Sequence, residues 1–310
     1  MSEKKELVLG LIGVGRGGPS SYHARSFSSI INGFKKEEVP EEWHECLHSI
    51  PAKGARIGSV WDEDKDAAKH LAKVFHIDRV ENRMEDVAEH VDGVLIVDDI
   101  SMTHQKKADF FLENKVPTFV DKPLAMTYEE AEGIINKAKK YGGLFMTGSA
   151  LRYCREIPEH KSEIDAVGRI DYGTTVCQGA YMGEDNIIHY GIHALEFAYP
   201  VFGRGAVAVQ NIGEGRKHVV KIDFDDGRIL TLIVMPEIEQ NFKLDLFGTK
   251  GETSVICADW DYFYWNMLQH FIDMIKTNKE PVPIEESLEV IKVLTMAKKS
   301  VLNNGIKIKL

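Results

Sequence analysis

The sequence predicts an α/β protein, with a doubly wound parallel sheet first and then an α+β region built on an open, mostly antiparallel sheet. Three observations predict it. Up to about residue 150, short β-rich runs alternate with amphipathic helical patterns, as a parallel sheet covered on both faces requires. From Gly168 the chain turns to longer strand-like runs. Among these, Asp226-Gly227 in "FDDGRI" is a tight-hairpin signal, a connection open only to antiparallel neighbours.

In the first half the strand runs are "ELVLGLIG", "ARIGSVW", "GVLIV", "PTFV" and "GLFMTG", bounded by Gly, Pro or Asp. Between them lie the helical patterns "DKDAAKHLAKVF", "MEDVAEHV", "THQKKADFFLEN" and "TYEEAEGIINKAKKY". In the last, Thr127 with Glu130 makes a capping box and Gly142 a stop. The second half offers "RIDYGTTVCQGAY", "AVAVQNIG", "HVVKIDFDD", "RILTLIVMPE", "KLDLFGT" and "TSVICA" as strands. One helical stretch near 187–197 interrupts them, and two helices near 260–278 and 285–303 close the chain, with Gly305 as the stop. This divides the chain into residues 1–149 and 150–310. Residues 34–54 break the alternation and read as an insertion with a helical turn or two. Its His44, Cys46 and His48 invite a metal reading, but on a helix Cys46 points away from the two histidines and no fourth ligand is evident. Packing is the expectation there.

Hydrophobic residues make up 44% of the 310 and charged residues 28%, enough apolar material for two cores. The net charge of -10 argues against nucleic acid or an anionic membrane surface as partner. The apolar run in "MSEKKELVLGLIG" is too short for an export signal or a membrane span, which makes the cytoplasm the expected compartment. Cys46, Cys154, Cys177 and Cys257 form no Cys-x-x-Cys pair and read as reduced packing thiols, with no metal expected.

"LGLIGVGRGGPSS" follows the first strand and opens a helix, with Gly13, Gly15 and Gly18 at dinucleotide-binding spacing. Gly13 permits the tight turn, Gly15 lets backbone approach a pyrophosphate, and Gly18 allows helix and strand to touch. Arg16 within the turn is a further cofactor contact, and the helix N-terminus favours the negative charge. Asp62, ending the second strand, suits a ribose diol and repels a 2′-phosphate, which favours NAD while leaving NADP open. Asp62 and Asp64 can divide ribose binding and helix capping between them. Lys122, directly before Pro123 at the end of the fifth strand, is biased to an extended conformation that can aim it into the crevice.

"IIHYGIHALEF" sets His189, His193 and Glu196 along one helical face. By spacing alone this face is half of a metal site, part of a catalytic apparatus or an ordinary buried surface.

The glycine motif at 13–18, "DKPLA" at 121–125, "FGTKGETSV" at 247–255 and the closing helix pair resemble the glucose–fructose oxidoreductase, inositol dehydrogenase and MocA-like oxidoreductases over nearly the whole chain. The resemblance implies a Rossmann domain followed by an open-sheet domain, with substrate between them. It implies NAD(P)-dependent chemistry at a secondary alcohol of a sugar or cyclitol, and a homodimer or homotetramer formed through the open sheet face. "HYGIH" matches the family's Asp-x-Gly-x-His, with His193 at the general-base position and His189 where the aspartate is expected. A second imidazole cannot stabilise imidazolium as a carboxylate would. His189 is therefore assigned to substrate contact or proton relay. With Lys122 it makes the site more cationic, which favours an acidic substrate such as a uronate or a phosphorylated or nucleotide sugar. The resemblance also points to Asp98 and His104 at the cofactor and Arg152 at the substrate, although the loop before His104 lacks the family's proline. Two other outcomes are an NAD-using glycosidase or lyase working by transient oxidation, and a non-catalytic sensor.

Overall fold

The computed structural model describes residues 6–15, 22–98, 103–179, 183–239 and 242–310. The chain divides into two compact units. Unit 1 comprises Met1–Ala125, Glu130–Thr147 and Tyr264–Ile284, and unit 2 comprises Met126–Glu129, Gly148–Phe263 and Glu285–Leu310.

The strands of unit 1 are β1 (Leu7–Ile12), β2 (Ala55–Trp61), β3 (Arg79–Val80), β4 (Gly93–Ile96), β5 (Thr118–Val120) and β6 (Phe145–Thr147). They form one parallel sheet in the order β3-β2-β1-β4-β5-β6. The crossovers carry α1 (Tyr22–Asn32), α2 (Lys65–Val74), α3 (His104–Glu113) and α4 (Tyr128–Tyr141). Apolar burial at Ala68, Leu71, Ala72 and Phe75 follows the helical period in α2, and Asp64 caps its N-terminus by accepting from the amides of Asp66 and Ala67. "MEDVAEHV" forms only a short 3₁₀ turn, Glu85–Glu89. The chain there is pinned at both ends: Val87 packs so close to Gly10 that a Cβ on that glycine would meet it at 2.4 Å, and Asp92 accepts from the Val8 amide at 2.8 Å. The 34–54 insertion contributes 3₁₀ turns at Lys36–Glu38 and Glu41–Cys46. Trp43 stacks on Phe75 and under Arg25, and His44 donates from Nε2 to the Val39 carbonyl at 3.2 Å.

Unit 2 opens with two short helices, α5 (Glu156–Glu159) and α6 (Lys161–Ala166), and then β7 (Ile170–Gln178). After these come α7 (Asn186–His189), α8 (Gly191–Phe202), β8 (Ala206–Asn211), β9 (His218–Phe224) and β10 (Ile229–Met235). β11 (Phe242–Gly248), β12 (Gly251–Cys257), α10 (Ile284–Leu302) and β13 (Ile308–Lys309) complete unit 2, while α9 (Trp260–Thr277) belongs to unit 1 from Tyr264 on. The sheet order is β12-β11-β7-β10-β9-β8-β13, antiparallel except for β7 beside β10. The Asp226-Gly227 turn joins β9 to β10 with Gly227 at φ 89°, and β13 is an edge strand the sequence did not announce.

The inner face of this sheet is covered by α8, whose Ala194 carbonyl accepts from Thr175 and whose Phe202 lies where a side chain on Gly173 would be. The start of α7 is held by a buried polar network. Asn186 Nδ2 donates to the carbonyls of Gly179 and Arg216, and its Oδ1 accepts from His218 Nε2 at 2.8 Å. His218 Nδ1 in turn accepts from Asn211 at 2.9 Å, which requires a neutral ring. Burial pushes the His218 pKa down to about 4. An unfolded histidine titrates near 6.5. The unfolded chain therefore binds this proton first, and the stability His218 contributes is lost as pH falls from about 6.5 towards about 4. We expect the His218 ring in an NMR titration to change state near pH 4; a midpoint near 6.5 would contradict the network.

Candidate active site

In unit 1 the expected cofactor residues stand in a row past the carboxyl ends of adjacent strands. β1 ends at Ile12 and the chain turns through Gly13 (φ 78°) and Gly15 (φ 74°), a left-handed backbone that glycine adopts without strain. A Cβ on Gly13 would lie 2.7 Å from the Asp98 Cβ, so the turn needs a glycine there for space as well. Gly13 donates to the Trp61 carbonyl at 3.0 Å, tying β1 to β2. At the end of β2, buried Asp62 accepts from the amide of Gly15 at 3.0 Å and from that of Asp64 at 2.6 Å. Asp64 takes the capping role, accepting from the amides of Asp66 and Ala67 at 3.1 Å each. Arg16 and Gly18 lie outside the described residues.

Past β4, Asp98 is buried and accepts from Thr103 Oγ1 at 2.8 Å and from the Lys107 ammonium, binding the first turn of α3 to the strand end. His104, the first residue of α3, donates from Nδ1 to the Leu124 carbonyl at 3.1 Å. Burial pushes its pKa down, which keeps the ring neutral, and its Nε2 is a buried atom with no hydrogen-bond partner. A strand-end glycine turn with no room for a side chain, an acid at the next strand end and an orphaned ring nitrogen fit a dinucleotide.

Lys122 follows β5, half-buried, before a cis peptide bond to Pro123. Its backbone is fixed by Asp121, whose Oδ1 accepts from the Lys122 amide at 2.7 Å and whose Oδ2 pairs with His23 Nδ1. His23 Nε2 reaches Tyr264 Oη at 3.3 Å. Burial pushes the Asp121 carboxyl up, but His23 and Lys122 hold it below its ordinary value. Asp121 and His23 were missed as functional residues. Asp121 stood in the quoted motif as the acid before the lysine, whereas nothing in the chain ties residue 23 to residue 121.

In unit 2 the histidine stretch is not one helix. α7 ends at His189, Tyr190 has φ -113°, and α8 starts at Gly191, so the three side chains do not share a regular helical face. His189 is buried beside the Asn186 network, and His193 is partly exposed. His193 Nδ1 lies 2.7 Å from Ser149 Oγ. Its ring contacts Tyr190 and, edge-on at 6.0 Å, Phe242. Glu196 belongs to a different cluster: it pairs with Arg152, which also pairs with Glu286. The Arg152 side chain is 6% exposed, and burial notwithstanding, the two carboxylates hold its pKa above the ordinary value. Ser149 was the other omission, 44 residues from its partner and with no local signal.

Residues 8–149 match the family model GFO_IDH_MocA, described as an oxidoreductase family with an NAD-binding Rossmann fold. Fold and match together define an NAD-binding oxidoreductase. Its N-terminal domain belongs to the GFO_IDH_MocA oxidoreductase family. Among curated relatives, a scyllo-inositol 2-dehydrogenase (NAD(+)) from Bacillus subtilis is 24% identical over 84% of this chain and 90% of its own. A trans-1,2-dihydrobenzene-1,2-diol dehydrogenase from Danio rerio is 22% identical over 72% and 73%. The chain is similar in fold to the myo-inositol dehydrogenase of Lactobacillus casei solved with NAD(H) and myo-inositol, with a TM-score of 0.79, 17% identity and coverage of 98% and 97%.

The Asp121 network generates a test. Asp121→Ala strands His23 and frees the Lys122 backbone, and should lower stability by about 3–5 kcal/mol in urea unfolding. A loss below about 1 kcal/mol would mean the carboxylate does not hold the strand end.

Proposed function

We propose that this chain transfers hydride between NAD and a ring-borne secondary alcohol of a cyclitol or sugar. The observation that carries the reading is Lys122, set past β5 in the same strand-end row as Gly13, Gly15, Asp62 and Asp98. Among the described residues its ammonium makes no ion pair, which leaves a cation for a substrate oxygen. The two curated relatives support the substrate class, since their names share a ring hydroxyl beside another hydroxyl.

Bound NAD supplies the hydride acceptor, held by Gly13, Gly15, Arg16 and Gly18, with Asp62 on the ribose and against a 2′-phosphate. His193 takes the hydroxyl proton at Nε2. Its Nδ1–H donates to Ser149 Oγ, which sets the tautomer in which Nε2 carries the lone pair of the base. Lys122 donates to the same substrate oxygen and stabilises its developing charge. Ser149 thus does the orienting work expected of the family's aspartate, but as a neutral acceptor. His189 contacts substrate, favouring acidic members of the class. Arg152 acts through Glu196, positioning α8 and hence His193. The reaction runs in the cytoplasm, and no described helix is long and apolar enough to cross a membrane. A second copy of the chain covers the outer sheet face, where Tyr172, Phe247 and Ile256 are exposed.

Initial rates of NADH formation across neutral cyclitols and sugars, uronates and sugar nucleotides test the reading. Lys122→Ala should cut turnover on the active member by at least about a hundredfold with NADH binding kept. Undiminished turnover removes Lys122 from the mechanism. Cleavage of a nitrophenyl glycoside without net NADH, or binding without any turnover, would replace the dehydrogenase by a glycosidase or a sensor. Ser149→Ala should lower kcat about tenfold with KM little changed, the equivalent of one lost orienting hydrogen bond; a change in KM alone would refute its role at the base.

A further inference from the structure

Two cysteines far apart in sequence meet in unit 2. Cys154 ends the 3₁₀ turn Ala150–Tyr153, Glu156 opens α5 just after it, and Cys257 is the last residue of β12. The two Sγ atoms and a carboxylate oxygen of Glu156 all lie within 4.8 Å of one another, and all three residues are buried. Glu156 is fixed through Oε1, which accepts from the amides of Ala258 at 3.0 Å and Asp259 at 3.2 Å. Its Oε2 is buried and accepts no hydrogen bond of ordinary geometry, while the nearness of Cys154 and Glu156 pushes the Cys257 thiol pKa up. An unsatisfied buried carboxylate oxygen is costly, and the large majority of buried side-chain polar atoms in native proteins have a partner.

We propose that Cys154, Glu156 and Cys257 bind a thiophilic divalent cation of the zinc type, with water as the fourth ligand. Two thiolates and one carboxylate oxygen are a soft-dominated donor set that suits a tetrahedral d¹⁰ ion. Zinc-to-sulfur bonds of about 2.3 Å and zinc-to-oxygen bonds of about 2.1 Å give tetrahedral edges of about 3.4–3.8 Å, inside the observed spread. A disulfide would consume both sulfurs and leave Oε2 as it is; a cation satisfies all three groups. Binding expels the thiol protons, so affinity falls as pH is lowered. The cation joins the segment just after Ser149 to the end of β12, a cross-link inside unit 2 that does not depend on the dehydrogenase reading.

The test uses the full chain, reduced and stripped with chelator, then titrated with Co²⁺. One equivalent should bring up thiolate-to-cobalt charge transfer and the visible bands of a tetrahedral site, and Zn²⁺ should bleach both. In the unaltered chain, zinc should protect Cys154 and Cys257 from alkylation, mapped by mass spectrometry, while Cys46 and Cys177 are unaffected. Cys154→Ser and Cys257→Ser should abolish the bands, Glu156→Gln should weaken cobalt binding at least tenfold, and Cys177→Ala should retain them. No thiolate band in the reduced chain, bands that survive loss of both cysteines, or alkylation unchanged by zinc would each overturn the proposal. So would a Cys154–Cys257 disulfide in protein that takes up no cobalt, which would make the pair a thiol couple.

Discussion

A guanidinium almost wholly withdrawn from water lies between two carboxylates in unit 2, and the order of that unit follows from it. Arg152 comes from the turn that opens the unit, Glu196 from the middle of α8 and Glu286 from the first turn of α10. A buried charge of this kind is tolerated only when its partners are fixed, because the desolvation cost rivals the attraction. Two acids make the cation affordable and lock three distant segments into one register. The turn that supplies Arg152 also supplies Ser149, and the helix that supplies Glu196 also supplies His193. The ion-pair cluster and the hydrogen bond at the candidate base therefore sit on the same two elements, one turn apart on α8. Burial pushes the Glu196 carboxyl above its ordinary value, with Arg152 pulling the other way.

Unit 1 solves a similar problem with an acid at its centre. Asp121 is 1% exposed and holds a histidine with one oxygen and the backbone of Lys122 with the other. In both units the side chain assigned to chemistry is only partly buried, while its supporting partners are deeply buried. That is the arrangement that gives a reactive group a fixed direction and an open approach. The supporting partners differ in kind: Lys122 is held through its backbone by a carboxylate, and His193 through its ring by a hydroxyl.

Much of the fold was legible because it is written in local periods. Five of the six parallel strands, α2 to α4, the Asp226-Gly227 hairpin and the glycine turn each declare themselves within a dozen residues, whereas β3, Arg79–Val80, is too short to do so. What failed to show was what depends on tertiary closure. The break at Tyr190 replaces an i→i−4 bond by the i→i−3 bond from His193 to Tyr190, and no proline or glycine pair announces it at that residue. Ser149 looks like any strand-end serine until α8 is laid beside it. That Cys154 and Cys257 meet beside Glu156 cannot be read from spacing. The edge strand β13 is two residues long, below what alternation can signal.

Tyr264–Ile284 belongs to unit 1 although it follows nearly all of unit 2 in the chain. Phe271 of this segment meets Phe119 on the parallel sheet, Ile275 lies against Gly93, Tyr264 touches His23, and Glu280 accepts from the Phe145 amide. On the ribosome, the parallel sheet emerges early with that flank bare, and the nascent chain must carry the exposed apolar surface through synthesis of β7 to β12 of the second sheet. Completion of the first unit is thereby deferred to the final stage of translation.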